Sequence, residues 1–167
     1  RASVLASQPD PIPGNLLSAE QAAFDPDAWT PTKTNWSFGD DGTATETGGR
    51  NGSFYNSTMI PVTSGERYSL SFQVDGSQEI LGKLRVIVQA FGSGSTKLIE
   101  WESAVTAGEM IEIDLDAIPE PRDKLRITFR RIGAPDSELE LSALSLTPLF
   151  GPVLAPVAAP ALAPVPA

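Results

Sequence analysis

The residues of this sequence best suited to bind a ligand cluster around Tyr55, in a segment rich in glycine. Arg50, Asn51 and Asn56 flank this tyrosine. Phe54 precedes it, and neighbouring residues of a strand face opposite sides, so one of the two rings is expected to face solvent. An exposed ring offers a flat apolar surface to a sugar ring, while amide and guanidinium groups bind hydroxyls. The same cluster also fits a solvated surface or an interdomain contact.

Two tryptophans are further candidates for stacking against a sugar ring. Trp36 stands near a predicted strand start, where a tryptophan more often plugs the end of a β-sandwich. Trp101 lies between Glu100 and Glu102, and strict alternation puts it on the same strand face as Ile99. That position is compatible both with the core and with an exposed platform.

The composition excludes several kinds of catalysis. The chain has no cysteine and no histidine, which removes thiolate nucleophiles, disulfides, imidazole bases and the usual zinc, copper and iron ligands. Glycoside hydrolysis requires two carboxylates held about 5 to 10 Å apart in a cleft. The acidic run Glu109–Asp116 mostly occupies one polar strand face instead. We therefore expect no enzymatic activity.

Carboxylates in the first third of the chain could hold a structural calcium ion, because Ca²⁺ binds several hard oxygen ligands on a folded loop. The plausible donors are Asp25, Asp27, Asp40, Asp41 and Glu46, of which Asp25, Asp40 and Asp41 are the preferred set. None of them forms an EF-hand pattern. Asp40 and Asp41, followed by Gly42, also fit a plain turn, since Asp tolerates turn geometry and Gly supplies a positive φ.

The charge of the chain argues against polyanionic partners. Twelve basic and 21 acidic residues give a net charge of -9, so phosphate backbones and anionic membrane surfaces are repelled on average. The densest basic stretch, Arg122 to Arg131, alternates with apolar residues and is interpreted as the outer face of one strand. No apolar run approaches the roughly 20 residues that a transmembrane helix needs. We expect neither nucleic-acid binding nor membrane insertion.

The hydrophobic pattern between residues 14 and 148 has period two, and Gly, Asp, Asn and Pro separate the segments. This pattern indicates an all-β, antiparallel β-sandwich or barrel of about nine or ten strands. The run Tyr68–Val74 is the clearest example, with an apolar residue at every second position. A single helical turn is predicted at residues 18–23, where Ser18 and Gln21 have the spacing of a capping box.

Two details of the strand pattern lead to further predictions. The apolar phase of segment 138–146 slips by one residue near Ser142 and Ala143. Because such a slip would turn the following side chains to the wrong face, we expect a β-bulge there. Strands 111–116 and 125–130 have an acidic and a basic outer face, so we expect that they could pair.

Proline divides the chain into three parts. Residues 1–13 are predicted to be an N-terminal linker, residues 14–148 a β-sandwich binding domain, and residues 149–167 a Pro/Ala-rich linker or docking tail. Frequent prolines in the tail remove amide donors and block both helix and central strand. The tail is either a semi-rigid spacer to another domain or an apolar strap against a neighbouring subunit.

The run Asn15–Ser18, followed by Phe24 and Trp29, resembles the start of carbohydrate-binding modules of the galactose-binding-like jelly-roll type. The run Gly65–Phe72 is similar to their central strand, and Leu144–Leu146 to their last one. The resemblance covers residues 15–148 and implies a jelly-roll fold. These modules often carry an Asp before the closing apolar pair, which can help to hold a structural calcium. This sequence has Ser142 and Ala143 there.

These observations together predict a non-catalytic carbohydrate-binding module that targets a larger extracellular protein to a glycan or polysaccharide. Ring stacking and a few hydrogen bonds would give weak affinity, which the parent protein gains from by raising its local concentration. The alternative is a structural or adhesion domain of a virion appendage or a bacterial surface assembly, contacting neighbouring subunits through its tail. Either function implies an extracellular, cell-surface or virion-surface location.

Overall fold

The computed structural model of the protein describes residues 15–32, 36–39, 41–47, 52–132 and 137–149. Residues 1–13 and 150–167, which hold nearly all of the two predicted linkers, lie outside these ranges. No helix in the described ranges is long and apolar enough to span a membrane. The regular elements are one helical turn, α1 (Ala19–Ala22), and the strands β1 (Trp29–Thr32), β2 (Trp36–Phe38), β3 (Ala44–Glu46), β4 (Ser53–Asn56), β5 (Ile60–Pro61), β6 (Tyr68–Gly76), β7 (Lys83–Gly92), β8 (Gly94–Ser103), β9 (Met110–Asp114), β10 (Lys124–Ile132) and β11 (Leu139–Pro148).

The strands form two antiparallel sheets. The larger sheet has the order β1-β4-β10-β7-β8, with β5 also paired to β10, and the smaller sheet has the order β2-β3-β11-β6-β9. Every second side chain of β7 is buried, so each sheet presents one apolar face, and the two faces close over a shared core. The predicted antiparallel β-sandwich is confirmed, with eleven strands in the described residues rather than about nine or ten.

Aromatic rings fill the part of the core that joins β1, β2, β4 and β10. Phe54 on β4 is fully buried, and its ring centroid lies 5.4 Å from that of Trp29, 4.7 Å from that of Trp36 and 5.2 Å from that of Phe129. The indole N–H of Trp36 donates to the carbonyl of Gly52 at 2.9 Å. These contacts fix β4 against β10, two of the three strands that carry the candidate site.

The helical turn forms as its sequence predicts. The Ser18 hydroxyl accepts a hydrogen bond from the Gln21 amide at 3.1 Å, and the Gln21 side-chain oxygen accepts one from the Ser18 amide at 3.0 Å. This reciprocal pair satisfies two amide groups that a helix start leaves without partners.

The predicted bulge in the last strand is also confirmed. The register of β11 against β6 shifts between Ser142 and Ser145, and Ala143 has a φ of 53°. Because one extra residue is accommodated there, Leu141 and Leu144 both enter the core although they are three positions apart.

The acidic strand β9 and the basic strand β10 do not pair, contrary to the prediction. β9 pairs with β6 in the smaller sheet, and β10 pairs with β4, β5 and β7 in the larger sheet. The segment between them passes from one sheet to the other with Leu115 and Ile118 buried. Burial of this apolar connection decides the pairing, since exposed opposite charges contribute little.

The basic stretch Arg122–Arg131 is interpreted from its sequence as the outer face of one strand. Arg131 does not fit that interpretation, because its side chain lies on the inner face of β10. It follows the phase of the buried Phe129 and is itself fully buried. Its Nη1 lies 2.8 Å from Oε1 of Glu46 on β3, which is also fully buried. This ion pair links the two sheets through the interior.

Candidate functional site

The outer face of the larger sheet collects the side chains that alternate with its core residues. The register places Thr30, Tyr55, Thr128, Ile87 and Glu100 side by side across β1, β4, β10, β7 and β8. The two neighbouring rows hold Ser53, Arg130, Arg85 and Glu102 on one side and Arg126, Gln89 and Lys97 on the other. One broad surface therefore combines apolar, hydroxyl, amide and guanidinium groups.

An arginine between two aromatic rings stands at the centre of this surface. Arg126 projects from β10, and its guanidinium carbon lies 4.8 Å from the ring centroid of Tyr55 on β4 and 5.2 Å from that of Phe91 on β7. Both distances are within the range of a cation–π contact. All three side chains are partly exposed. We call Tyr55, Phe91 and Arg126 the aromatic–arginine cluster.

The guanidinium of Arg126 has no anionic partner within the part of the chain that the structure describes. Its Nε is buried and makes no hydrogen bond, and no ion pair of Arg126 is present among those residues. A cation in contact with two rings loses part of its contact with water, so an anion or polar group reaching its outer N–H groups would bind an under-solvated charge.

Ion pairs along the edge of the sheet fix the β7–β8 hairpin. Arg85 contacts Glu102 at 2.7 Å and Glu100 at 3.5 Å, and Lys97 contacts Glu100 at 2.7 Å. The hydrogen bond and charge of Lys97 lower the pKa of Glu100. Glu100 and Glu102 are both paired with cations, which does not suit either of them to act as a general acid.

The outer face of the smaller sheet has a different chemistry. Ser71 on β6 and Ser145 on β11 share a hydrogen bond of 2.7 Å between their hydroxyls. Glu140 lies opposite Asp75 in the same ladder. Partial burial raises the pKa of Glu140, and the charges of Asp41, Asp75 and Glu138 raise it further. The face is thus hydroxyl-rich and acidic, and its described strands place no aromatic ring on it.

A concavity of about 460 Å³ lies beside α1, away from the aromatic–arginine cluster. Its lining includes Leu16, Gln21, Asp27, Thr58 and Met59. None of the described residues that line it is aromatic, so they do not supply the flat surface that a sugar ring stacks on.

The structure divides the sequence-predicted ligand residues into three groups. Tyr55 is partly exposed on the outer face while Phe54 is buried, as alternation predicts. Arg50 and Asn51 lie outside the described residues. Trp36, Asn56 and Trp101 do not lie on the outer face of the larger sheet.

These three side chains support the fold and do not face a ligand surface. Trp36 is buried in the aromatic core. Asn56 is 2% exposed. Its side-chain oxygen accepts a hydrogen bond from the amide of Ile127 at 2.7 Å, and its side-chain nitrogen donates to the carbonyls of Thr58 and Leu125 at 2.8 and 3.2 Å. Trp101 is on the inner side of edge strand β8, opposite the buried Val86. Its ring meets that of Phe72 edge-on at 6.4 Å.

The predicted calcium ligands are not brought together within the described ranges. Asp25 is buried, and its carboxylate accepts the amide of Asp27 at 2.9 Å. Asp41 accepts the hydroxyl of Thr43 at 2.6 Å in the β2–β3 turn. Asp40 lies outside the described residues. No three carboxylates converge in the parts of the chain that are described, and calcium binding at Asp25, Asp40 and Asp41 stays a prediction.

The sequence does not single out two residues of the cluster, Phe91 and Arg126, as candidate ligand-binding residues. The signal for Phe91 is its phase, because it is a large apolar residue at a polar position of β7, opposite in phase to Val86 and Val88. The signal for Arg126 is weaker, since basic residues are common on exposed strand faces. Their meeting with Tyr55 depends on the register of three strands, which no local pattern encodes.

Comparisons with known proteins bear on the fold. No protein-family model matches this chain, and no curated protein matches it. The N-terminal cellulose-binding domain of Cellulomonas fimi β-1,4-glucanase C is similar with a TM-score of 0.57 and 17% identity, over 75% of this chain and 91% of that domain. The second N-terminal cellulose-binding domain of the same enzyme gives a TM-score of 0.56 and 23% identity, over 84% and 94%.

This chain has the jelly-roll fold of those cellulose-binding domains. The fold also occurs in the enzymatically active domain of tailspike protein 4 from bacteriophage CBA120, with a TM-score of 0.54 and 12% identity. That match covers 81% of this chain but 22% of the tailspike chain. At these identities the likeness establishes the architecture, and the chemistry of the surface has to supply the function.

Proposed function

We propose that this chain is a non-catalytic carbohydrate-binding module, and that the outer face of its larger sheet is the ligand surface. The observation that carries the proposal is the aromatic–arginine cluster. Tyr55 and Phe91 offer ring surfaces to the apolar faces of sugars, and Arg126 offers N–H donors to their oxygens. Thr128, in the same row as Tyr55, and Gln89, in the same row as Arg126, add further hydrogen-bonding groups.

Two further observations support the proposal, one for the function and one for the choice of face. The fold is that of the two Cellulomonas fimi domains, whose names describe cellulose binding. The opposite face of the sandwich presents serine hydroxyls and carboxylates, and its described strands offer no ring for stacking. The pairing of Glu100 and Glu102 with cations is the reason for proposing binding without hydrolysis. The function implies that the parent protein acts outside the cell.

A second candidate is a structural or adhesion domain of a virion appendage or surface assembly. The shared fold of the bacteriophage tailspike domain favours it. The Pro/Ala-rich tail, through which neighbouring subunits would be contacted, lies outside the described residues. Stable self-association without glycan binding would favour this candidate over the first.

Affinity electrophoresis in gels containing soluble polysaccharides, with the full chain, tests the proposed function. Neutral β-glucan, xylan and acidic polysaccharides form the panel. We expect retardation in at least one gel. Tyr55→Ala should weaken that binding about fivefold, since stacking on one ring contributes on the order of 1 kcal/mol. Tyr55→Phe, which keeps the ring, should stay within about twofold.

Met110→Ala is the matched control, because Met110 is a large apolar side chain that is 58% exposed on β9 of the smaller sheet. It should bind as the wild type does. Equal retardation of Tyr55→Ala and wild type would remove Tyr55 from the site, and absence of binding to the whole panel would contradict the proposed function. Repeating the gels with a chelator tests whether binding depends on the predicted structural calcium. Thermal unfolding of the chain with and without the chelator tests whether stability depends on it.

A further inference from the structure

The positive charges of this acidic protein concentrate on one surface. The chain as a whole carries a net charge of -9. The outer face of the larger sheet nevertheless collects Lys83, Arg85, Lys97, Lys124, Arg126 and Arg130. The outward positions of β4, β7 and β10 include no aspartate or glutamate. Even with Glu100 and Glu102 of β8 counted, the described side chains of this face carry a net positive charge, opposite in sign to the net charge of the chain.

Local carboxylates neutralise these cations unequally. Arg85 and Lys97 are held by Glu100 and Glu102 at the β8 edge, and Lys124 lies 3.6 Å from Asp123. Arg126 and Arg130 have no ion pair with any residue that the structure describes. The uncompensated charge is thus located on β10, near the middle of the sheet.

Arg126 and Arg130 are arranged along a single line with an aromatic ring beside it. They are four positions apart on the same face of β10, which places them about 13 Å apart along the strand. Thr128 lies between them, and Tyr55 is its direct neighbour on β4. A sugar chain lying along β10 would meet a guanidinium, then a ring and a hydroxyl, and then a second guanidinium.

From this arrangement we propose that the glycan bound by this face is acidic and carries carboxylate or sulfate groups. The inference rests on the proposed function and specifies its ligand. Guanidinium groups bind carboxylate and sulfate oxygens through two parallel N–H donors. Arg126 is suited to this role because its guanidinium carbon lies 4.8 and 5.2 Å from two ring centroids, and these cation–π contacts hold the group in place.

The negative charge of the remaining molecule does not oppose such a ligand at short range. The Debye length is about 8 Å at physiological salt, so groups along β10 respond mainly to their own neighbours. A nucleic acid, with one charge per 1.7 Å of duplex axis, would extend its dense charge beyond the patch into the acidic remainder. A less densely charged glycan fits the single line of arginines better.

Paired polysaccharides that differ only in charge test the inference. Polygalacturonate is compared with its methyl-esterified form, and dextran sulfate with dextran, using the full chain in 150 mM and 1 M NaCl. We expect at least tenfold tighter binding to one acidic member than to its neutral counterpart, lost in 1 M NaCl. The two pairs distinguish carboxylate from sulfate as the recognised group.

Variants of β10 make the test specific to the two arginines. Arg126→Gln and Arg130→Gln should each weaken acidic binding about fivefold to tenfold, and Arg130→Gln should leave binding to neutral polysaccharides unchanged. Arg126→Lys keeps the charge and should still weaken it, because the planar fork is lost. Lys83→Gln removes one charge at the margin of the same face, where Glu102 is 3.9 Å away, and should have less than a twofold effect.

The outcomes separate the inference from the proposed function. Equal binding to charged and neutral members, unaffected by Arg126→Gln, would overturn the acidic ligand while leaving a carbohydrate-binding module. Tighter binding to single-stranded DNA than to any acidic glycan would also overturn it. Binding to no polysaccharide would contradict the proposed function itself.

Discussion

Replacing Arg131 by methionine should destabilise the domain far more than removing a surface ion pair of the same length. Arg131 and Glu46 are both fully buried and 2.8 Å apart. The second terminal nitrogen, Nη2, of Arg131 donates to the hydroxyl of Ser137 at 2.6 Å and to the carbonyl of Leu81 at 3.0 Å. Burial lowers the pKa of Arg131, and the charge of Glu46 acts in the opposite direction.

The magnitude follows from what each substitution leaves behind. Arg131→Met leaves a buried carboxylate without its cation, which costs about 3–5 kcal/mol. Adding Glu46→Leu removes that carboxylate as well. Because Nε of Arg131 makes no hydrogen bond even in the wild type, its own desolvation is incompletely compensated. The double variant should therefore recover to within about 1 kcal/mol of the wild type or exceed it.

Urea unfolding followed by tryptophan fluorescence measures these differences. With a slope of about 2 kcal/mol per molar urea, Arg131→Met should lower the midpoint by about 2 M. The matched control is Arg85→Met, which removes a 2.7 Å pair with Glu102 whose side chains are 28% and 30% exposed, and should cost at most about 1 kcal/mol. An equal cost for Arg131→Met and Arg85→Met, or no recovery in the double variant, would refute the reasoning.

Three further variants test the local structure by urea unfolding. Because the folded-state pKa of Glu140 is raised above its ordinary value of 4.5, the folded state holds that proton more tightly, and stability falls as pH rises from about 4.5 through the raised pKa. Glu140→Gln should therefore add about 0.2–1 kcal/mol at pH 7 and nothing at pH 3.5, and an equal gain at both values would contradict this. Asn56→Ala leaves the amide of Ile127 unsatisfied and should cost about 2–3 kcal/mol, so a loss below about 0.5 kcal/mol would count against its structural role. Ala143→Gly relieves a φ of 53° and should add about 0.5–1 kcal/mol, whereas a less stable variant would show that the bulge is unstrained.

The period of the hydrophobic pattern was sufficient to predict the strands that span the core. In β6, β7 and β10 buried and more exposed side chains alternate over long runs, because one face of each strand packs in the core. The bulge in β11 was predictable for the same reason, since a phase error in a buried strand has a large energetic cost. The edge strand β1 was missed, because it is short and Pro31 interrupts it. Proline is tolerated at a sheet edge, where one side of the strand needs no ladder bond.

Pairing and the composition of the site depend on contacts between distant segments. The opposite charges of β9 and β10 suggested a pair, yet the buried connection through Leu115 and Ile118 sends the strands to different sheets. Tyr55 could be predicted from its alternation with Phe54. Its contact with Arg126 could not, because that contact is diagonal across a register set by the whole sandwich.

Chemical-shift mapping locates the ligand face most directly. The nitrogen-15-labelled full chain is titrated with an oligosaccharide prepared from the polysaccharide that it binds best. We expect the largest shifts at the backbone amides of Tyr55, Phe91, Arg126 and Thr128 and at the side-chain N–H groups of Arg126. Shifts concentrated instead around Ser71 and Ser145, on the smaller sheet, would contradict the assignment of the larger sheet as the carbohydrate-binding surface.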